Sequence, residues 1–280
     1  MGTTTNRSPL ERYAARGYRR VDGWLERDAV RIIRDAAEVQ DAQGVNGSVA
    51  EIGIHHGKLF ILLFLLAGPG GQGFACDLFD RQDENTDRSG RGDYERFLSN
   101  LDRHGCPRDA IAIHTGNSLE LTPEAVSGRI DRPVRLFSID GGHCAQVTRH
   151  DLSLAISVLC PGGIAIVDDY FREEWPGVSE GVMRCLIDHP GVLAPFAIGG
   201  NKILFTTGSE RAAAYRESLE GIWRPWEYVT SEFLGSPVLV FLKRDRFMRR
   251  VKHSSLGSRL RGSNFAEWLR RWQRRLFGNG

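Results

Sequence analysis

The chain has 280 residues, 41% hydrophobic and 26% charged, with a formal net charge of +2. This is the composition of an ordinary folded protein, and it excludes collagen-like, disulfide-scaffold and intrinsically disordered classes. The five cysteines (Cys76, Cys106, Cys144, Cys160, Cys185) are scattered without C-x-x-C or zinc spacing, so reduced thiols are expected. The longest apolar run, Leu59–Ala67, is too short to span a bilayer, and no signal-peptide pattern is present, so the expected location is cytoplasmic.

Residues 1–20 carry no apolar periodicity and read as a flexible lead-in to a domain over residues 21–242. From Trp24 to Val39 apolar residues recur at helical spacing (Trp24, Leu25, Val30, Ile33, Ala37). Five short apolar runs follow, at Ser48–Ile52, Gly73–Cys76, Ala110–His114, Val134–Ile139 and Gly163–Val167. Helical patterns alternate with them at Lys58–Leu66, Tyr94–His104, Pro123–Gly128 and Gln146–Leu159. Unbroken apolar strands alternating with helices predict a parallel sheet covered on both faces. A helix is then expected at Ser179–Asp188, followed by two strands, Leu193–Ile198 and Lys202–Thr206, joined by a Gly199-Gly200-Asn201 turn. Pro237–Leu242 reads as an edge strand. The fold class is therefore α/β and Rossmann-like: a mostly parallel seven-stranded sheet with an antiparallel hairpin at one edge.

The first strand runs into Glu51-Ile52-Gly53-Ile54-His55-His56-Gly57, a strand, a glycine turn and the start of a helix. Glycines let the backbone approach a ligand closely, and a helix N-terminus offers N–H groups to an anion. The second strand ends at Asp77, an acid placed to accept from two ribose hydroxyls. Gly116-Asn117-Ser118 after the third strand can edge an adenine. Taken singly, each feature reads better as a tight turn or a loop cap. Their order along one sheet edge favours a ligand site built from Glu51, Gly53, Gly57, Asp77 and Ser118. A dinucleotide fingerprint would require G-x-G-x-x-G, which is absent, and an NAD oxidoreductase is correspondingly disfavoured.

Two further strand ends carry acids. Asp140-Gly141-Gly142-His143 closes the fourth strand and Asp168-Asp169-Tyr170 the fifth. Neighbouring strands bring Asp140, Asp168 and Asp169 together, and three carboxylates in one cleft call for protons or a hard cation such as Mg²⁺. The alternatives are a capped turn for Asp168-Asp169 and a surface position for His143. His55 and His56 are expected to shape the glycine turn. The polar loop Phe79–Asp93 is either a lid or a solvated loop, and Trp175 is either an acceptor wall or a core residue.

The run Glu51–Gly57 with Asp77 and Asp140-Gly141-Gly142-His143 resembles class I S-adenosylmethionine (SAM)-dependent methyltransferases. It is most similar to the bacterial group that includes metal-dependent sugar O-methyltransferases of macrolide and aminocoumarin pathways, over about Trp24 to Thr207. The resemblance implies a Rossmann-like methyltransferase domain that binds SAM through Glu51, Gly53, Gly57, Asp77, Ser118 and Asp140. It also implies a divalent metal, Mg²⁺, on Asp140, Asp168 and Asp169, with His143 as general base and Asp140 beside it in catalysis. The acceptor it implies is a small-molecule or glycan hydroxyl. A metal-independent natural-product or aromatic-hydroxyl methyltransferase, and a non-catalytic module recruited by the tail, stay open.

From residue 243 onward twelve Lys/Arg face two acids, so the tail carries +10 against −8 for the rest. Residues 264–277 have helical periodicity, with Phe265, Trp268, Leu269, Trp272 and Leu276 on one stripe. Such a basic amphipathic segment suits an anionic membrane surface, hence an expected peripheral location at the inner membrane face. Packing on the acidic body and charge-driven nucleic-acid binding are the competing readings. No specific nucleic acid is expected, and homo-oligomerisation is left open.

Overall fold

The computed structural model describes residues 8–242. Helix α1 (Pro9–Ala15) opens on a capping box: the Ser8 hydroxyl accepts from Glu11 N, and the Glu11 carboxylate accepts from Ser8 N. Tyr13 on this helix is buried, and its hydroxyl donates to the Lys58 carbonyl at 2.7 Å. Residues 9–20, expected as a flexible lead-in, are thus a docked helix followed by a 3₁₀ turn at Gly17–Arg20. Ser-Pro-x-Glu is a helix-start signal, but seven residues are too few to show a period.

The remaining helices are α2 (Arg27–Ala42), α3 (Lys58–Ala67), α4 (Tyr94–His104), α5 (Pro123–Ser127), α6 (Ala145–Val158), α7 (Pro176–Asp188) and α8 (Ser209–Ile222). The strands are β1 (Ser48–Ile52), β2 (Gly73–Asp77), β3 (Ile111–Thr115), β4 (Val134–Ile139), β5 (Leu159–Asp168), β6 (Leu193–Gly199), β7 (Lys202–Thr207), β8 (Tyr228–Phe233) and β9 (Ser236–Phe241). They form one sheet in the order β3-β2-β1-β4-β5-β7-β6-β9-β8. The first five strands in that order run parallel, and β7 is antiparallel to both β5 and β6. The order reverses between β1 and β4, which places a crevice at the carboxyl ends of those strands.

Side-chain alternation along the strands explains the layering. Leu136, Ile164 and Ile166 face a core shared with α2, α3, α4 and α8. Phe137, Ile139, Ala165 and Val167 face a second core built with α5, α6 and α7. Both faces are apolar, which is why the strands read as continuous apolar runs.

Among the described residues the expected seven-stranded sheet has nine strands, and the β6–β7 hairpin lies inside it instead of at its edge. The run expected as an edge strand, β9, pairs in parallel with β6 through Ala197↔Leu239 and Ile198↔Val240. The edge itself is β8, which pairs antiparallel with β9. Residues of β8 are half-buried or exposed, so its sequence carries no clean apolar alternation. The basic tail and its 264–277 segment lie outside the described residues. Among the described residues no helix is long and apolar enough to cross a membrane. All five cysteines are free, and only Cys144 is exposed.

One polar network ties α2 to the sheet. Arg135, 2% exposed on β4, donates to Gln40 Oε1 (2.9 Å), Asp41 Oδ1 (2.7 Å) and the Ala37 carbonyl (3.0 Å). Arg135→Ala strands the buried Gln40 acceptor and a helix carbonyl. We expect a loss of about 2 kcal/mol, read as a lower denaturation midpoint with an unchanged slope.

Candidate functional site

The crevice opens as a cleft of about 590 Å³ lined by the turns after β1, β2, β3, β4 and β5. At its β1 side sits Gly53, with φ +87° and an amide that donates to the Cys76 carbonyl at 2.9 Å. A Cβ at Gly53 would fall 1.8 Å from the Asp140 carbonyl oxygen, so only glycine lets the two strand ends meet. Asp77 accepts from His55 N through Oδ2 (2.7 Å) and from Phe79 N through Oδ1 (2.6 Å). Burial raises its pKa, and these backbone donors work against that. These backbone donors fix the carboxylate in the cleft wall. Past β3, Asn117 caps its own turn by accepting from Leu119 N at 3.1 Å, and the buried Ser118 lines the wall with it.

Gly53, Asp77, Ser118 and Asp140 therefore all line the cleft. Glu51 and Gly57 do not. Gly57 is the left-handed N-cap of α3, where a Cβ would meet the Phe97 ring at 2.7 Å, so its role is packing. Glu51 is 2% exposed and its Oε2 has no hydrogen-bond partner among the described residues. Burial pushes its pKa well up, while the Lys202 ammonium pulls the other way.

The ends of β4 and β5 bring the second group together. Asp140, His143 and Asp169 each offer one ligand atom, all within 4.8 Å of one another. His143 Nδ1 lies 2.8 Å from Asp87 Oδ2, Nε2 lies 3.2 Å from Asp169 Oδ2, and the ring stacks on Trp175 with centroids 4.2 Å apart. Asp87 also accepts from His143 N at 2.7 Å. A loop residue 56 positions away thus fixes both the backbone and the ring of His143. Burial opposes protonation of His143, but the hydrogen bonds its ring donates to Asp169 and Asp87 prevail and raise its pKa. Asp87 is drawn down to about 2; burial alone would raise it, and donors from Ser89 and His143 prevail. The loop over residues 79–93, read as lid or solvated loop, supplies Gln82, Asn85, Asp87 and Gly90 to the cleft wall. Trp175 is a cleft wall stacked on the histidine.

Asp168 differs from expectation. It lines the cleft, yet it does not join the three-residue group. Its Oδ2 accepts from the buried Lys202 ammonium, and its Oδ1 from Asp169 N (2.9 Å) and Asn201 Nδ2 (3.1 Å). The residues whose ligand atoms lie close enough together to share an ion are Asp140, Asp169 and His143. Hard carboxylate oxygens with one imidazole fit a small divalent ion, and an Nδ1–H held by a carboxylate is what a metal-bound histidine has behind it. Asp140 fits as well. Burial and the neighbouring Asp168 push its pKa well up, a penalty that a cation would relieve.

Asp169 has φ +56°, a left-handed position that aspartate tolerates better than most residues. Asn201 donates to its Oδ1, and Arg172 approaches at 3.3 Å. Sequence reasoning missed Asp87, Asn201 and Lys202. Asp87 and Asn201 carry no local signal, but a lysine opening the apolar run Lys202-Ile203-Leu204-Phe205 is an anomaly that marks a buried partner.

Residues 50–170, which run from β1 to just past β5, match the family model described as a methyltransferase domain. Among solved structures, the O-methyltransferase NovP is 18% identical, with 64% of this chain and 79% of that chain covered and a TM-score of 0.53. An O-methyltransferase from Bacillus cereus in complex with SAH is 18% identical over 74% and 93% of the two chains, TM-score 0.49. MycE, a methyltransferase of the mycinamycin biosynthetic pathway in complex with Mg, SAH and mycinamycin VI, is 16% identical over 72% and 55%, TM-score 0.48. Comparison with curated protein sequences gives no match.

Proposed function

We propose that this chain is a SAM-dependent methyltransferase and that the atom it methylates is a hydroxyl oxygen of a sugar or glycan-type acceptor. The observation that carries this reading is the convergence of Asp140, His143 and Asp169 within 4.8 Å in the cleft whose other end holds Asp77.

SAM, when bound, supplies an activated methyl group, so the protein has only to position an acceptor oxygen and remove its proton. Asp77 would accept from the ribose hydroxyls, with Gly53 giving room for the methionine part and Ser118 on the wall toward the adenine. His143 takes the hydroxyl proton at Nε2, because Nδ1–H donates to Asp87 and fixes the tautomer. Trp175 keeps the ring in place from one face and offers an apolar surface to a sugar ring. A divalent ion, Mg²⁺, on Asp140 and Asp169 would lower the hydroxyl pKa and orient vicinal oxygens. His143 Nε2 cannot ligate an ion and accept a proton at once, and we assign it the proton.

The test is incubation with methyl-labelled SAM and two acceptors, a glycoside with free vicinal hydroxyls and a catechol, with Mg²⁺ or EDTA. Labelled glycoside that falls with EDTA supports the reading. Preference for the catechol without an EDTA effect supports the second reading, a metal-independent methyltransferase. That alternative is favoured by the Asp87–His143 pair, which forms a base without any ion. The basic charge of residues 243–280 further supports contact with an anionic membrane surface. Cosedimentation with anionic vesicles is expected for the full chain and lost on deleting that segment; equal binding of both would contradict it.

A further inference from the structure

Lys202 is 2% exposed, and its ammonium lies against Asp168 of the cleft wall. Its place is set by the sheet, since in the antiparallel β5–β7 pair Lys202 lies directly opposite Asp168. The ammonium donates to Asp168 Oδ2 and also lies in the field of Asp140 and Glu51. Both Asp168 oxygens are thereby committed, one to Lys202 and the other to Asp169 N and Asn201 Nδ2. Three carboxylates, Asp140, Asp168 and Asp169, share this end of the cleft with Glu51 buried nearby, and a fixed internal cation relieves their repulsion. Turning Asp168 toward a metal would abandon a buried ammonium, a state that buried ion pairs resist strongly.

We propose that Lys202 is the site's own cation and that it withholds Asp168 from the metal-ligand set. A divalent ion is then held by Asp140 and Asp169 without Asp168. Two carboxylates suit an ion that keeps several waters and takes its remaining ligands from the acceptor. This inference rests on the proposed divalent ion, and it concerns which residues hold that ion.

The experiment measures Mn²⁺ binding to the full chain without SAM or acceptor, by electron paramagnetic resonance of the free ion. Asp169→Asn and Asp140→Asn are expected to weaken Mn²⁺ binding at least about tenfold, whereas Asp168→Asn leaves it within about twofold. Lys202→Met frees a third carboxylate and tightens Mn²⁺ binding roughly tenfold, and Lys202→Arg, which keeps the cation, does not. Should Lys202→Met not fold, the double variant Lys202→Met/Asp168→Asn removes both charges together and is expected to bind Mn²⁺ as the wild type does. Weakening by Asp168→Asn as large as that by Asp169→Asn overturns the inference, because Asp168 then ligates. If the wild type binds no Mn²⁺, the metal reading fails separately. In that case a gain of binding in Lys202→Met still supports Lys202 as the occupying cation, and no gain overturns it.

Discussion

His143→Ala is expected to lower turnover about 10²–10⁴-fold while SAM affinity stays unchanged. The variant removes a ring whose Nδ1 faces Asp87, whose Nε2 faces Asp169 and whose face stacks on Trp175. Mn²⁺ binding separates the two uses of Nε2: retained binding with lost turnover identifies a base, and lost binding identifies a ligand. The pH profile carries a sign. As a base the imidazole works unprotonated, and its pKa lies above the ordinary 6.5 because Asp169 and Asp87 hold the charged form against burial. Turnover therefore falls on the acid side of a pKa higher than that of a free histidine. Asp87→Asn removes one of those carboxylates and shifts the acid limb to lower pH. In stability terms, the raised pKa contributes below the unfolded value and is lost as pH rises through the folded one. An acid limb that Asp87→Asn leaves in place would contradict the pairing.

The second large effect is structural. Gly53→Ala forces a side chain into a left-handed position and against the Asp140 carbonyl, whose Cβ separation would be 1.8 Å. Backbone strain and overpacking together cost about 3 kcal/mol or more. The obstacle is backbone held by β1–β4 pairing, where Asp140 N donates to the Ile52 carbonyl at 2.9 Å, so it cannot swing away. Relief would come from parting the two strand ends, which moves Asp140 and opens the cleft. A lower unfolding midpoint and lost SAM binding are expected together, read by denaturant titration and calorimetry. Wild-type stability in this variant would show that β1 and β4 do not meet as described.

Much of this arrangement was legible in the sequence, for a physical reason. Strands buried on both faces must be apolar throughout, so Ser48–Ile52 and Val134–Ile139 match their sequence-predicted bounds. Their carboxyl ends then locate the acids, and Asp77, Asp140 and Asp169 all reach the cleft. Elements that failed to show were those without that constraint. Helix α1 is short, β8 is half exposed, and α8 buries only Ala212, Tyr215 and Leu219. The site residues that escaped act across the chain: Asp87 on His143, and Lys202 on Asp168. Glu51 was misplaced for the converse reason. A strand-end acid reads as a ligand for whatever occupies the cleft, but alternation turns it inward, toward the charge of Lys202.

Central to all of this is that the cleft between Gly53, Asp77 and Asp140 takes SAM. Calorimetric titration of SAM into the wild type and into Asp77→Ala, with circular dichroism confirming that both are folded, tests that most directly. One molecule of SAM per chain is expected for the wild type, with affinity at least about tenfold weaker in the variant, which loses hydrogen bonds to a charged acceptor. Absence of binding to the wild type, or equal binding by both proteins, would contradict it.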